Sequence, residues 1–151
     1  MKKEYDNEMS MEFMCRSCNE SFARITVAAF ASQLDPTIEE LADIKTSVSE
    51  IVTNAIIHAY EGIKDDVIRV HCYIEDSVIT IEIQDSGIGI EDIELARKPL
   101  YTSKAELERS GMGFTIVESF MDEVKIESIV GLGTKVTMKK TIKNAQGLFE
   151  I

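Results

Sequence analysis

Glu50, Asn54 and His58 stand four residues apart in one stretch of the chain. On a helix they share a face, beside the apolar stripe and not opposite it. A carboxylate one turn from an amide suits a general base next to a magnesium ligand. Hard cations choose oxygen donors, and Mg²⁺ keeps few protein ligands. A solvated polar stripe would show the same spacing, and His58 reads as a supporting or structural residue. Asp85 is the second candidate. It follows Ile79, Ile81 and Ile83 at period two, which puts it on the buried face of a strand. A carboxylate there is costly unless something satisfies it. Either it accepts backbone N–H groups of the glycine turn that follows, or it accepts a hydrogen bond from a buried ligand, such as the exocyclic amine of adenine.

Six of the eight glycines fall in three G-x-G pairs, Gly87/Gly89, Gly111/Gly113 and Gly131/Gly133. Glycine lets backbone approach a ligand closely and reach positive φ. Gly131/Gly133 sits in an expected hairpin, where a turn alone accounts for it. All three pairs lie beside expected element ends, and together they favour a nucleotide site. Arg109-Ser110-Gly111-Met112-Gly113-Phe114 stands immediately before a helix. Orphan N–H groups at a helix start make an anion cradle, and Arg109 adds fixed positive charge. The preceding Pro99-Leu-Tyr-Thr102-Ser103-Lys104 is polar and reads as a lid over phosphates. No G-x-x-x-x-G-K-[ST] loop occurs.

The elements that must position these residues follow from periodicity. Glu8 to Cys15 alternates weakly, as a strand does. Asn19 is expected to cap a helix to about Leu34, with Phe22, Ile25, Ala29 and Phe30 on one face. Asp35-Pro36 breaks it. Thr37-Ile-Glu-Glu40 is a capping box. It opens a longer helix to about Ala59, with Leu41, Ile44, Val48, Val52 and Ala55 as its apolar stripe. Two alternating strands, Ile68 to Glu75 and Ile79 to Asp85, turn at Asp76-Ser77. A short helix is expected near Glu91 to Ala96, and another from Met112 to Met121 that buries Ile116, Val117 and Phe120. Val124–Ser128 and Thr134–Lys140 form a last hairpin. This order predicts one domain over residues 1–151 with a two-layer α/β sandwich, a mixed sheet carrying helices on one face.

Composition narrows the function. The chain has 151 residues, 44 % of them hydrophobic, enough for one real core. A formal charge of −11 argues against nucleic acid, whose phosphates need excess Lys and Arg. It would attract a basic partner, although many cytosolic proteins are acidic. No apolar run is long enough for a membrane span and no signal-peptide core opens the chain, so a cytoplasmic location is expected. Cys15 and Cys18 form a C-x-x-C, but Cys72, His58 and His71 are not a second spaced ligand pair. Free, partly buried thiols are expected.

Taken together, the motifs resemble those of the GHKL ATPase superfamily. Glu50-Ile-Val-Thr-Asn54-Ala-Ile-Ile-His58-Ala-Tyr60 is similar to its N box, Asp85-Ser-Gly87-Ile-Gly89-Ile90 to its adenine box, Arg109 to Phe114 to its second glycine box, and Gly131-Leu-Gly133-Thr134 to its third. Within the superfamily, Asn19 to Arg24, Gln33 to Thr37 and Glu106 to Ile116 resemble the anti-sigma-factor kinases of endospore-forming bacteria, a likeness covering about Met9 to Lys140. The resemblance implies a homodimer that binds ATP/ADP with Mg²⁺. It implies that the dimer holds a sigma-F-type RNA polymerase sigma factor and phosphorylates a serine of a SpoIIAA-type anti-anti-sigma factor. It makes Glu50 the base, Asn54 the Mg²⁺ ligand, and Asp85 the adenine acceptor with Thr134 beside it. Gly87 and Gly89 belong to the adenine box. Ser110, Gly111, Met112, Gly113 and Phe114 would lie at the phosphates with Thr102, Ser103 and Lys104. Arg109 would be near the γ-phosphate, and Arg24 would contact the partner. A related general-stress anti-sigma kinase, or an ATP-gated binding module without kinase activity, would carry the same boxes. A detached histidine-kinase catalytic domain fits less well, because only 49 residues precede the N box, with no phospho-acceptor helix pair expected among them.

Overall fold

The structure, a computed structural model, describes residues 4–59, 66–97 and 113–145, without the side chains of 58, 59 and 113. In chain order the described elements are β1 (Asn7–Met14), α1 (Asn19–Ala31) with a 3₁₀ turn at Ser32–Leu34, α2 (Ile38–Asn54) with a π turn at Ala55–Ala59, β2 (Val67–Glu75), β3 (Val78–Asp85), α3 (Ile93–Ala96), α4 (Gly113–Phe120), β4 (Glu123–Ile129) and β5 (Gly133–Thr141). The sheet order is β1-β2-β3-β5-β4.

Period-two alternation builds the sheet. Ile68, Val70, Cys72 and Ile74 of β2 and Ile79, Ile81 and Ile83 of β3 point inward and are buried with Val136 and Met138 of β5. Ile44, Val48, Ile51 and Val52 of α2 close the same core. The opposite face carries paired polar groups: Arg69 with Glu12, and His71 held between Glu8 and Glu82. The two-layer sandwich with helices on one face is therefore as expected. The sheet is not mixed, however. Every described pairing is antiparallel. The helical crossover after β3 does return the chain to a strand of the same direction, β4, but its hairpin partner β5 inserts between them.

Two local expectations change. Asn19 does not cap α1: the cap position is Cys18, without a side-chain bond. The Asn19 amide instead donates to the carbonyl of Met14, tying the helix start to the end of β1. The buried face of α1 is Ala23, Val27, Ala28 and Ala31, while Phe22 and Ile25 are 51 % and 59 % exposed and Ala29 is exposed. Small residues let α1 pack closely on α2, so residue size misleads there. On α4, Val117 is buried, whereas Ile116 and Phe120 are only half-buried.

The capping box forms as read. Thr37 Oγ1 accepts from Glu40 N at 3.0 Å, and Glu40 Oε1 accepts from Thr37 N at 2.9 Å. Glu40 does more than cap: its Oε2 accepts from Lys143 N at 3.1 Å, which fastens the α2 start to the chain just beyond β5. Burial pushes the Glu40 carboxyl up. The backbone N–H groups of Thr37 and Lys143, the Thr37 hydroxyl and the Lys140 charge outweigh that and hold it below its ordinary value of 4.5. A depressed pKa means stability present above the unfolded value and lost as pH falls through the folded one. Glu40→Gln is therefore expected to destabilise the protein at neutral pH by about 1–3 kcal/mol and to flatten the loss of stability below pH 4.5, as read by urea unfolding across pH. Equal pH slopes for the two proteins would exclude Glu40 as a titrating anchor.

Candidate nucleotide-binding site

The directions of the elements decide which residues meet. Lys143 N reaches Glu40, and Lys140 Nζ lies 3.3 Å from Asp43. The start of α2 thus sits at the C-terminal end of β5, which is the N-terminal end of β3 in the antiparallel register. At roughly 1.5 Å per residue α2 spans about 25 Å, and β3 at about 3.3 Å per residue spans nearly the same. The end of α2, with Glu50 and Asn54, therefore arrives at the end of β3 where Asp85 lies. Lys140 Nζ also donates to Phe120 O at 2.6 Å. That places the end of α4 at the far end and aims its start, Gly113 and Phe114, back toward Asp85.

Asp85 is 7 % exposed. Its Oδ1 accepts from Gly87 N at 2.9 Å. Burial, with Asp66 adding to it, pushes the Asp85 carboxyl up against the pull of the Gly87 and Thr134 N–H groups. Both readings of this residue are thus compatible: the carboxylate shapes the glycine turn and keeps acceptor capacity to spare. Gly133, at φ 127°, lets β5 start against it, since a Cβ there would meet Asp85 O at 2.1 Å. Gly89, at φ 81°, lies against the backbone of the β4–β5 hairpin, where a Cβ would meet Ile129 O at 2.6 Å.

Asn54 ends the regular part of α2. Its Oδ1 is buried and has no hydrogen-bond partner among the described residues. An orphaned amide oxygen is what a hard cation would fill, so the residue fits Mg²⁺. Glu50, half-buried, lies one turn earlier on the same face. The π turn Ala55–Ala59 widens the helix after Asn54. The straight i, i+4, i+8 relation therefore does not extend to His58, whose side chain is not described.

Thr102, Ser103, Lys104, Arg109, Ser110, Gly111 and Met112 lie outside the described residues. Gly113 opens α4. The Phe114 side chain packs against the core, so what it can offer a phosphate is its backbone N–H. Arg24 stands on α1, its Nε 3.1 Å from Glu20 Oε1. Cys15 is buried and Cys18 exposed, so the two thiols face different surroundings. Burial, then Asp66 and Asp85, push the Cys15 thiol up to about 11.

Sequence reasoning missed Ser128. Its Oγ accepts from Ile90 N at 2.7 Å and lies 2.8 Å from Thr134 Oγ1. With Gly131 N donating to Ile88 O at 2.8 Å, it stitches the loop after Asp85 to the last hairpin. The signal was available: a hairpin turning at Gly131-Leu-Gly133 sets Ser128 opposite Thr134, as the register does.

Residues 19–140 match the histidine kinase-like ATPase domain family. The anti-sigma F factor of Clostridium acetobutylicum is 61 % identical over 135 residues, 89 % of this chain and 94 % of that protein. That of Geobacillus kaustophilus is 58 % identical over 94 % of this chain and 97 % of its own. The RsbU and RsbW domains of a Mycobacterium tuberculosis protein share the fold alone, with a TM-score of 0.66 and 17 % identity over 90 % of this chain and 32 % of that one. The match over residues 19–140, on a two-layer sandwich, places the chain in the class of histidine kinase-like ATPase domains. Within that class, the chain belongs to the anti-sigma F factor family.

Asp85→Asn is expected to weaken ADP binding by about 1.5–3 kcal/mol, the worth of one charge-assisted hydrogen bond. Calorimetric titration reads it, and unchanged affinity in a folded variant would remove Asp85 from the base site.

Proposed function

We propose that this protein is an ATP-dependent anti-sigma factor that is also a serine protein kinase. It would bind a sigma-F-type sigma factor in the cytoplasm as a homodimer and phosphorylate a serine of a SpoIIAA-type anti-anti-sigma factor. One observation carries the reading: Asn54, with its orphaned buried Oδ1, and the buried Asp85 carboxylate reach the same end of the sandwich, with Glu50 one turn from Asn54. Identities of 54–61 % to anti-sigma F factors favour sigma-F over a general-stress sigma factor as the partner.

In this mechanism Asp85 and Thr134 hold the adenine end of ATP. The start of α4 would offer its first-turn N–H groups to phosphate. Asn54 would hold Mg²⁺ through its Oδ1, and the ion would supply charge neutralisation at the phosphates. Glu50 takes the proton from the serine hydroxyl as the phosphoryl group arrives, which needs only a carboxylate within hydrogen-bond reach. Simple binding of a sigma factor needs no base, so the presence of Glu50 beside Asn54 favours the kinase over a binding-only module. Arg24 lies in the second turn of α1. That helix starts at the Cys15 end of β1, near Asp66 and Asp85. A partner gripped at Arg24 would therefore sit close to the nucleotide.

Two variants test this. Glu50→Gln is expected to keep the fold, ATP affinity and sigma-factor capture while phosphate transfer to the anti-anti-sigma factor falls by roughly two to four orders of magnitude. Near-normal transfer would sink the base assignment, and loss of ATP binding would make Glu50 an organiser of the site. Arg24→Ala should leave ADP titration unchanged and impair both partner complexes in pull-down. Its pairing with Glu20 is a part-buried i, i+4 contact, and helix pairs of this spacing contribute about 0.3–0.5 kcal/mol, so lost stability would not account for lost capture. Normal capture of both partners would move the contact surface elsewhere.

A further inference from the structure

The Ser128 hydroxyl is fully used by the protein itself. A serine has one proton to give and two lone pairs to offer. Ser128 Oγ accepts from Ile90 N at 2.7 Å and donates to Gly133 O at 3.1 Å. A carbonyl can only accept, so the Ser128 proton is committed. For all three contacts to be hydrogen bonds at once, the 2.8 Å contact between Ser128 Oγ and Thr134 Oγ1, in which either hydroxyl could donate, takes its proton from Thr134. Thr134 is left with its lone pairs and no proton for anything else. It stands opposite Asp85 in the β3–β5 register, and both are nearly buried, at 9 % and 7 % exposure.

We infer that Ser128 is a specificity-determining positioning residue: it turns Thr134 into an obligate acceptor beside Asp85, so that the pair reads a base bearing an amino group and rejects one bearing a carbonyl there. Two adjacent acceptors match the two N–H bonds of a 6-amino purine. A 6-oxo purine would bring a lone pair against both, leaving buried acceptors facing an acceptor. Ser128 itself has no capacity left to touch the base, so it acts only through Thr134 and through the Ile88–Ile90 loop it pins.

This rests on the adenine-nucleotide reading above, and the experiment separates the two. ADP and inosine diphosphate, which differ in the 6-amino against the 6-oxo group and the N1 proton, are titrated into the full chain. Wild type should prefer ADP. In Ser128→Ala, ADP affinity should fall about tenfold, the worth of one hydrogen bond to a buried group, while inosine diphosphate changes little, so the preference narrows about tenfold and what remains is the share of Asp85. Thr134→Val should narrow it likewise. The double variant should lose no further preference, because the two residues act as one unit. Ser128→Thr, which keeps the hydroxyl, should retain it. If Ser128→Ala does not fold, Ser128→Cys, with a weak donor in the same place, takes its part. Equal losses for both nucleotides would reduce Ser128 to a loop anchor and overturn the inference while leaving the adenine site standing. A wild type that binds neither nucleotide would overturn both.

Discussion

A carboxylate at the end of an apolar row sets the terms for the rest of this structure. β3 sends Ile79, Ile81, Ile83 and then Asp85 to one buried face. The three isoleucines anchor the core against α2, and the same register that buries them carries Asp85 in with them. Shifting the strand by one residue to expose the acid would expose the isoleucines too, at roughly 1.5–3 kcal/mol each. The carboxylate therefore stays, and its surroundings are organised to receive it. The chain turns tightly so that Gly87 can donate, and β5 begins at Thr134 opposite it.

That demand propagates outward. For β5 to begin so close to Asp85, residue 133 must lack a side chain, and it is glycine at φ 127°. For the loop after Asp85 to lie on the hairpin, residue 89 must also be glycine. Ser128 then joins both pieces. Three glycine or hydroxyl positions that look independent along the chain are thus one packed corner. They are spaced by the β4–β5 register and by the tight turn at Ser86–Gly87, and a change at any of them would be felt at Asp85.

Much of this was legible because strands broadcast their faces. The alternation in β2 and β3 named the buried residues, and the capping box at Thr37 and Glu40 named where α2 begins. What was not legible depended on tertiary distance. α1 buries alanines and leaves Phe22 and Ile25 half-exposed, because close approach to α2 rewards small side chains there. The π turn after Asn54 has no signature in Ala55–Ala59, which reads as an ordinary helix continuation. The antiparallel sheet was hidden because a strand–helix–strand order looks parallel. Here β4 does run with β3, and only the insertion of β5 keeps them from pairing. Ser128 was overlooked for another reason: a serine in an alternating strand carries no chemical signal until its cross-strand neighbour is considered.

The two ends of the sandwich are built differently, and the difference assigns them roles. At the far end two buried polar side chains, Glu40 and Lys140, are closed. Glu40 uses both oxygens, on Thr37 and Lys143, while Lys140 meets Asp43 and the last carbonyl of α4. Those bonds fix the directions of α2 and α4 relative to β5. At the near end the same two helices arrive with capacity left over. Asn54 brings an oxygen with no partner among the described residues, α4 brings a first turn whose N–H groups have no partner within the helix, and Asp85 brings a carboxylate whose pKa burial has raised. Leaving such groups open costs stability. The closed end supplies the rigidity that lets the open end persist, so the residues best placed to meet a nucleotide are held in position by hydrogen bonds about 25 Å away.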